Sequence, residues 1–494
     1  MSTGVLLALP GEQESDLVQA LDAPGTGVRV VRRCADVPEV LAAALAGLGT
    51  VAVLSADLPG VDRTVLVRAQ QAGVRTVLVA EDADAERCRA LGADAVVTAG
   101  TPTADLASVT VALAHDPAGA AGVDDPPETA GTRPSARAGT DPSPGPGGDP
   151  TAGAGTDPST GPGPSREAPT PEAEVIAAAE QVLAEVGGER AATGVPDDGA
   201  EPDRETAERG QLIAVWGPYG APGRTTVAVN LAAELAARHH RALLVDADTE
   251  APAITQTLGL LEESSGIAAA ARLAAHGRLD RATLSRLCPR LDADGGLRVL
   301  TGLTRPDRWR ELPAAALDVV WEHARALAPW TVVDLAAGAE DDATGFGPAP
   351  QRRHQATLSA LAAADVVVVV GAAEPVGMRR LVLALGELRE RRLCHPEARR
   401  VVVVTRVRAA AVGPAPHRAV RDTLARYGGV EDAVLVADDR PAADRALLAG
   451  ATLMQTAPAS PARDGYLQLT DRVAGISTRR RRRPRPGGLR RRAR

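Results

Sequence analysis

Short runs of consecutive aliphatic residues punctuate this chain, and the stretches between them carry apolar residues at helical spacing. In the first 115 residues the runs are Val5–Leu9, Val28–Val31, Val51–Leu54, Val74–Ala80 and Ala95–Val97. Between them, segments such as DLVQALDA and EVLAAALAGL repeat apolar positions at i, i+3 and i+4, as a helix with one buried face does. Strands that are apolar without alternation are buried on both faces, as in parallel sheets. Five such βα units predict a compact parallel sheet covered on both sides.

The alternation resumes, more strongly, from Gln211. The runs are now Leu212–Trp216, Ala242–Asp248, Leu297–Leu303, Thr331–Ala336, Asp365–Val370, Arg400–Val407 and Ala433–Asp439. Seven buried strands in residues 210–475 predict an α/β domain built on a doubly wound, mostly parallel sheet. Between the two regions the pattern stops. Residues Gly131–Ser165 hold nine Gly and eight Pro, almost no large apolar side chain, and GTDPS twice, at Gly139 and Gly155. Such a stretch cannot bury enough surface to offset its chain entropy. The expected organisation is a small domain over 1–115, a disordered linker over 116–209, a large domain over 210–475 and a disordered tail over 476–494. Within the linker, residues 171–186 (PEAEVIAAAEQVLAEV) regain helical spacing at Val175, Ile176, Val182, Leu183 and Val186. That segment reads either as a docking helix for a partner or as a transient linker helix.

Composition changes this picture in three ways. The 494 residues include 55 Lys+Arg, and no lysine occurs anywhere, so every basic residue except histidine is arginine. A Schiff base, a lysine general base and an intact Walker lysine are thereby excluded. Aromatic residues are 2%, which argues against a base-stacking nucleic-acid platform. The net charge of −8 is unevenly spread: Thr478–Arg494 carries ten Arg and no acid, leaving −18 (−8 less 10) on the rest. Such a tail is either an electrostatic tether to DNA or anionic membrane, or a solubilising end. Four separated cysteines (Cys34, Cys88, Cys288 and Cys394) form no CxxC pair and read as free thiols. The N-terminus lacks a basic region before its short apolar run, and the longest purely aliphatic run is Val366–Val370. Both point to a cytoplasmic chain, peripheral at a membrane or cell pole at most.

The first strand of the large domain runs into Trp216-Gly-Pro-Tyr-Gly-Ala-Pro-Gly-Arg-Thr-Thr226 and then an amphipathic stretch. A glycine-rich turn between strand and helix aims backbone N–H groups and a helix N-terminus at a phosphate. Gly220 and Gly223 permit close backbone approach, and the Thr225 hydroxyl is placed to meet Mg²⁺. By strict pattern the phosphate-loop motif fails, because its first glycine falls on Pro218 and its lysine on Arg224. The loop alone is equally a turn that tightens a strand–helix junction. Two further runs end in carboxylates, Asp246 with Asp248, and Asp334. Strand-end carboxylates line the crevice where ligands bind in open α/β sheets, so three of them beside this loop suggest a Mg²⁺–nucleotide site.

At these residues the domain resembles the MinD/ParA group of deviant-Walker P-loop ATPases. Tyr219–Thr226 lies on that group's Lys-Gly-Gly-x-Gly-Lys-Thr-Thr loop, and Val227–Ala236 is similar to its following helix. Ala242–Pro252 resembles its switch I strand, and TVVDLAAG resembles its Walker B strand. Val401–Arg408 and Ala437–Gly450 resemble the segments that hold the adenine. The resemblance implies ATP and Mg²⁺ as cofactors, with Gly220, Ala221, Pro222, Gly223, Arg224, Thr225 and Thr226 cradling the phosphates. It puts Arg406 and Asp438 at the base, Thr225, Asp246 and Asp334 at Mg²⁺ (partly through water), and Asp248 at the attacking water, with Arg224 catalytic. The N-terminal region resembles a response-regulator receiver. Receiver plus ATPase is the architecture of the CpaE/TadZ-like branch, associated with pilus assembly and, in some actinobacterial relatives, with septum-site determination. A homodimer and protein partners of that machinery are implied.

Two departures matter. The lysine that reaches the β- and γ-phosphates is Arg224, and the signature lysine that crosses the dimer is Tyr219, which carries no positive charge. Pro222 also lacks one loop N–H. Slow hydrolysis, binding without hydrolysis and a degenerate scaffold are the readings left open, with a DNA-binding partitioning ATPase as a further one. The receiver-like domain departs as well. Its phosphorylation position falls on Ser55, with Asp57 out of register, and Leu9-Pro10-Gly11 supplies no acidic pair. It reads as a dimerisation or docking module. His239-His240 reads as helix-end charge and Cys394-His395 as a chance pair, while Arg391, Arg392, Arg399 and Arg400 read either as a solvated surface or as a DNA-binding patch.

Overall fold

The computed structural model describes residues 3–116, 209–239, 241–260, 264–291, 296–340, 343–344 and 351–475. The linker with its 171–186 segment and the Arg-rich tail lie outside the described residues, as do 341–342 and 345–350.

The N-terminal domain comprises strands β1 (Thr3–Ala8), β2 (Val28–Arg33), β3 (Val51–Ser55), β4 (Arg75–Ala80) and β5 (Ala95–Thr98). Helices α1 (Glu12–Leu21), α2 (Val37–Leu45), α3 (Arg63–Gln71), α4 (Ala85–Ala90) and α5 (Thr103–His115) connect or follow them. All five strands pair in parallel in the order β2-β1-β3-β4-β5. Alternate strand residues feed two cores. Leu6, Ala52, Leu54 and Leu78 pack against α2, α3 and α4. Val5, Leu7, Val53 and Val77 pack under α1 and α5. Two-sided burial is why β1, β3 and β4 read as apolar runs, whereas the edge strand β2 is largely exposed and carries arginines.

The large domain repeats this plan on seven strands. They are β6 (Gln211–Trp216), β7 (Ala242–Ala247), β8 (Leu297–Leu300), β9 (Trp330–Leu335), β10 (Val366–Ala372), β11 (Arg399–Val407) and β12 (Val434–Ala437). The order is β12-β11-β10-β6-β9-β7-β8, parallel throughout. One face carries α6 (Arg224–His239), α13 (Arg440–Leu448) and α14 (Pro461–Val473) over Ile213, Val215, Leu244 and Val368. The other carries α7 (Gly266–Ala275), α9 (Ala314–Leu327), α10 (Gln355–Ala363) and α11 (Pro375–Glu390) over Leu212, Trp216, Val245 and Val369. Helix α8 (Arg281–Leu287) and helix α12 (Pro416–Thr423) sit in the β7–β8 and β11–β12 connections. The chain leaves β6 toward α6 on one face, whereas β10 leads to α11 on the other, so the crevice between β6 and β10 opens beside the glycine loop. The two domains touch where the Arg63 Nε on α3 donates to the Ala315 carbonyl at 3.0 Å.

The start of the central strands is fastened by one buried cation. Arg325, on α9 and only 7% exposed, donates to the Gly210 carbonyl (2.8 Å), the Ala363 carbonyl and the Asp365 carboxylate. Asp365 in turn accepts the Leu212 N–H at 2.8 Å. Removing the guanidinium strands the buried Gly210 carbonyl and the half-buried Ala363 carbonyl. All four tryptophans (Trp216, Trp309, Trp321 and Trp330) lie in this domain, so tryptophan fluorescence reports its unfolding selectively. Arg325→Leu should lower its stability in urea by about 3 kcal/mol. Arg305→Leu removes an ion pair whose partners are 72% and 63% exposed, and should cost less than about 0.5 kcal/mol. Equal losses would contradict this account.

Candidate functional site

The glycine loop begins where β6 ends. Trp216 is buried, and its indole N–H donates to the Ala337 carbonyl at 3.1 Å, tying the end of β6 to the end of β9. Gly217 lies so close to β10 that a Cβ there would meet the Val370 carbonyl at 2.3 Å. Gly220 and Gly223 have φ of 72° and 91°, the left-handed region that glycine enters freely. Helix α6 starts at Arg224, so Thr225 and Thr226 occupy its first turn and its N-terminus faces the loop. Thr405, near the end of β11, braces the loop: its hydroxyl lies 3.0 Å from the Pro222 carbonyl and 3.1 Å from the Gly371 carbonyl.

Asp246, Asp248 and Asp334 converge at the foot of this loop, each at most 3% exposed. Asp246 and Asp334 are direct register partners on β7 and β9. Asp246 is enclosed by backbone donors: its Oδ1 accepts Asp248 N–H at 3.2 Å, and its Oδ2 accepts Ala253 and Ile254 N–H at 3.0 Å each. Burial nevertheless pushes its carboxyl up to about 7, with the Asp248 charge adding to the rise and these backbone hydrogen bonds opposing it. Asp248 Oδ1 accepts Glu250 and Ala251 N–H at 2.8 Å each, and its Oδ2 faces Arg224 Nη2 at 3.6 Å. Asp334 differs from both: neither of its buried oxygens has a hydrogen-bond partner of good geometry. Burial, then the neighbouring Asp246, raise its carboxyl well above the usual range, while the nearby Thr225 hydroxyl and Arg224 charge act against them.

Arg224 points into this acidic pocket. Its Nε donates to the Leu335 carbonyl at 3.2 Å, its Nη1 to the Pro218 carbonyl at 3.5 Å, and its Nη2 faces Asp248. Its planar fork thus spans loop, β9 and β7 at once. Ala221 is buried, while Pro222, Gly223, Thr225 and Thr226 are half-buried along the loop and first helical turn. Arg406 and Asp438 lie at the ends of neighbouring strands β11 and β12, where the Asp438 N–H donates to the Val407 carbonyl at 3.1 Å. Arg406 is exposed with φ of 56°, and the Asp438 carboxylate pairs with Arg408 (3.3 Å) and Arg440 (3.5 Å). The expected residues therefore gather along one edge of the sheet, with the carboxylates and Arg224 beneath the loop and the other pair on two strand ends beyond it.

Three residues that sequence reasoning passes over, Arg353, His354 and Arg380, join the site together with Tyr219. Tyr219 stands out in the sequence only for its lost charge; its hydroxyl donates to Glu250 Oε1 at 2.8 Å, and burial together with that acceptor raises its pKa, keeping the phenol neutral. His354 stands between two acids, Nδ1 3.6 Å from Glu250 and Nε2 3.3 Å from Glu340. Arg353 donates to both the hydroxyl and the carbonyl of Thr249 at 3.0 Å and lies over the Trp309 ring. The segment Asp248–Glu250 is thus fastened from three sides. Arg380, on α11, lies over the loop itself: a Cβ on Gly220 would meet its Nη1 at 2.0 Å. Arg380 is exposed and makes no ion pair among the described residues. Glu250 follows closely on Asp248 and is within reach of a sequence reading. Arg353, His354 and Arg380 reach the site only through tertiary folding.

A P-loop site takes its Mg²⁺ with few protein oxygens, because phosphates and water complete the octahedron. The unpartnered Asp334 carboxylate beside Thr225 fits such an ion; no cluster of three or more His, Cys, Asp or Glu suited to a resident metal exists among the described residues. Cys34, Cys88 and Cys288 are buried and Cys394 is half-buried, and none of them forms a disulfide among the described residues. No helix among the described residues is long and apolar enough to cross a membrane.

Comparison with known proteins bears on the same region. Residues 213–440 match the family described as CbiA, the CobQ/CobB/MinD/ParA nucleotide binding domain. No curated protein matches the chain. Similar solved structures include a ParA family ATPase from Chlorobium tepidum TLS, 16% identical with a TM-score of 0.45, covering 53% of this chain and 97% of that one. The septum site-determining protein MinD from Pyrococcus horikoshii OT3, complexed with Mg-ADP, is 18% identical with a TM-score of 0.41, covering 54% and 98%. A point-substituted McdA from Cyanothece, in complex with ATP, is 13% identical with a TM-score of 0.41, covering 55% and 98%. The family match spans the loop, the three aspartates and the late strands, so it is residues 213–440 of this chain that are similar to the CobQ/CobB/MinD/ParA nucleotide binding domain.

Proposed function

We propose that this chain binds ATP·Mg²⁺ at the glycine loop, dimerises in response, and serves as a positioning protein for pilus-assembly or septum-site machinery. The observation that carries the nucleotide reading is the Asp334 carboxylate, fully buried with both oxygens unpartnered next to Thr225. A buried carboxylate without donors is costly unless a cation completes it. The machinery is proposed from the pairing of a receiver-like domain with an ATPase domain, whose resemblance is to the CpaE/TadZ-like branch.

The chain's own groups divide the work as follows. The loop backbone and the α6 N-terminus hold phosphate oxygens. Thr225 and Asp334 hold Mg²⁺, which when bound neutralises charge on the β- and γ-phosphates. Arg380, resting unpaired on Gly220, supplies the positive charge that Tyr219 does not. Arg224 adds a second fork to the phosphates, and Asp248 orients the attacking water. Arg406 and Asp438 lie against the base. Turnover is slow on this reading, because an incoming phosphate must draw Arg224 from three partners and Tyr219 holds Glu250 in place. That double engagement also favours a second reading, nucleotide binding without hydrolysis.

Calorimetry with ATP and ADP in the presence of Mg²⁺, beside a phosphate-release assay, tests the proposal. The unaltered chain should bind both nucleotides, and no binding at millimolar concentration overturns it. Arg380→Ala should weaken ATP binding at least tenfold, or about 1.4 kcal/mol. Asp248→Ala should retain binding and lose phosphate release. Arg224→Ala should weaken binding, whereas Arg224→Lys should release phosphate faster than the native chain; an unchanged rate would assign the slow step elsewhere.

The aspartates also predict a pH dependence without nucleotide. The raised carboxyls of Asp246 and Asp334 keep their protons in the folded state after the unfolded chain has lost them near pH 4. With respect to these groups, stability should therefore be greatest below about pH 4 and fall as pH rises toward about 7, the folded value of Asp246. Asp334→Asn removes a buried ionisable group whose pKa folding raises, so urea unfolding at pH 8 should show a gain of about 1–2 kcal/mol and a shallower decline with pH. The same variant should lose Mg²⁺-dependent nucleotide binding. A variant less stable at pH 8 than the native chain would contradict the assignment.

A further inference from the structure

Beside the nucleotide site, α11 borders a second feature that the proposed function leaves unused. A groove of about 560 Å³ opens between α11 and the chain that follows β11, with Met378, Val382, Leu383, Val412, Val420 and Tyr427 in its walls. Its rim keeps large apolar side chains in solvent: Leu383 is 57% exposed and Tyr427 is 62% exposed. The surrounding charge is basic. Arg379 lines the groove, and Arg421 and Arg426 are exposed beside it. Arg418 meets Asp422 at 3.5 Å, while Arg379 and Arg421 make no ion pair among the described residues. Apolar grooves of this size with charged rims suit an amphipathic helix of opposite charge.

We propose that residues 171–186 of the same chain occupy this groove as a docked helix. The sequence PEAEVIAAAEQVLAEV places Val175, Ile176, Ala179, Val182, Leu183 and Val186 on one helical face. Its charged residues are Glu172, Glu174, Glu180 and Glu185, with no cation. Apolar stripe and acidic flanks thus complement apolar floor and arginine rim. A helix of this length is marginal alone in water, so a surface that covers its apolar face decides whether it forms.

Reach is ample. Residues 187–208 connect the segment to Arg209, and 22 residues extend to roughly 70 Å at about 3.3 Å each, or about 25 Å as a flexible coil. The other long stretch outside the described residues, 476–494, is excluded by charge, since its ten arginines repel the rim. A second copy of the groove would likewise set two arginine rims against each other. Docking in cis also has a consequence for the loop: α11 sends Arg379 to the groove and Arg380 to Gly220, so one helix serves both.

A fluorescein-labelled peptide of residues 169–188, titrated by anisotropy, tests the proposal on the full chain and on the full chain lacking 171–186. The tethered segment competes at an effective concentration of about a millimolar. The peptide should therefore bind the deletion chain at least tenfold more tightly than the intact one, with binding weakened by salt. In the deletion chain, Leu383→Glu and Tyr427→Glu should each weaken it at least tenfold, and Arg421→Glu should weaken it and flatten its salt dependence. Both apolar positions are exposed, so the fold survives their change. No binding to the deletion chain at millimolar peptide overturns the proposal, as does binding indifferent to Leu383→Glu and Tyr427→Glu. Equal binding to intact and deletion chains also overturns it, and would leave the groove to a helix from another protein.

Discussion

The site is organised by one electrostatic constraint: Asp246 and Asp334 face each other in register on adjacent parallel strands, with no access to water. Two carboxylates that close cannot both ionise cheaply in a medium of low dielectric. Their surroundings answer the charge in different ways. Three backbone N–H groups close around Asp246, and Gly302 makes room for it, since a Cβ there would meet its carboxyl carbon at 2.6 Å. Asp334 receives no such donors. The asymmetry separates the pair: backbone donors hold Asp246, and Asp334 lacks them.

The chemistry of Arg224 limits what the loop can do, because a guanidinium differs from an ammonium in shape and bonding. A lysine ammonium is a compact charge that can follow a phosphate as it moves. The Arg224 guanidinium is a rigid fork, and here it satisfies acceptors on two strands and the loop together. That engagement offsets part of the acidic pocket in the absence of ligand. It also means the cation has somewhere to be when no phosphate is present. Tyr219 makes a comparable trade: a mobile charge is replaced by a neutral hydroxyl anchored on Glu250.

The fold and half of the site were legible along the chain for the same reason. Strands buried on both faces must be continuous in valine and leucine, so both sheets announced themselves in runs such as Val366–Val370 and Val401–Val404. Glycines at positive φ and strand-end aspartates are local requirements, and they marked the loop and the acidic pocket before any geometry was known. Arg353, His354 and Arg380 carry no such local mark. Each is one of many arginines and histidines in a lysine-free chain, and each reaches its partner across about a hundred residues or more of sequence. Only the packing of α11 against the loop, and of the chain after residue 350 against Thr249, distinguishes them from surface charge.

These long-range fastenings bear on how the site changes state. The segment Asp248–Glu250 is held by Arg224 from below, Tyr219 from the loop, and Arg353 and His354 from the far side of β9. A phosphate that attracts Arg224 leaves Asp248 Oδ2 without its counter-charge in a buried setting, which raises the energy of the fastened arrangement. The segment can then lower that energy only by moving, by taking a proton, or by sharing the cation that arrives with the phosphate. Each response loads the Tyr219–Glu250 and Arg353–Thr249 contacts, because the same three residues carry all of them. Displacement of Arg224 and rearrangement of this segment are therefore coupled through the charge on Asp248.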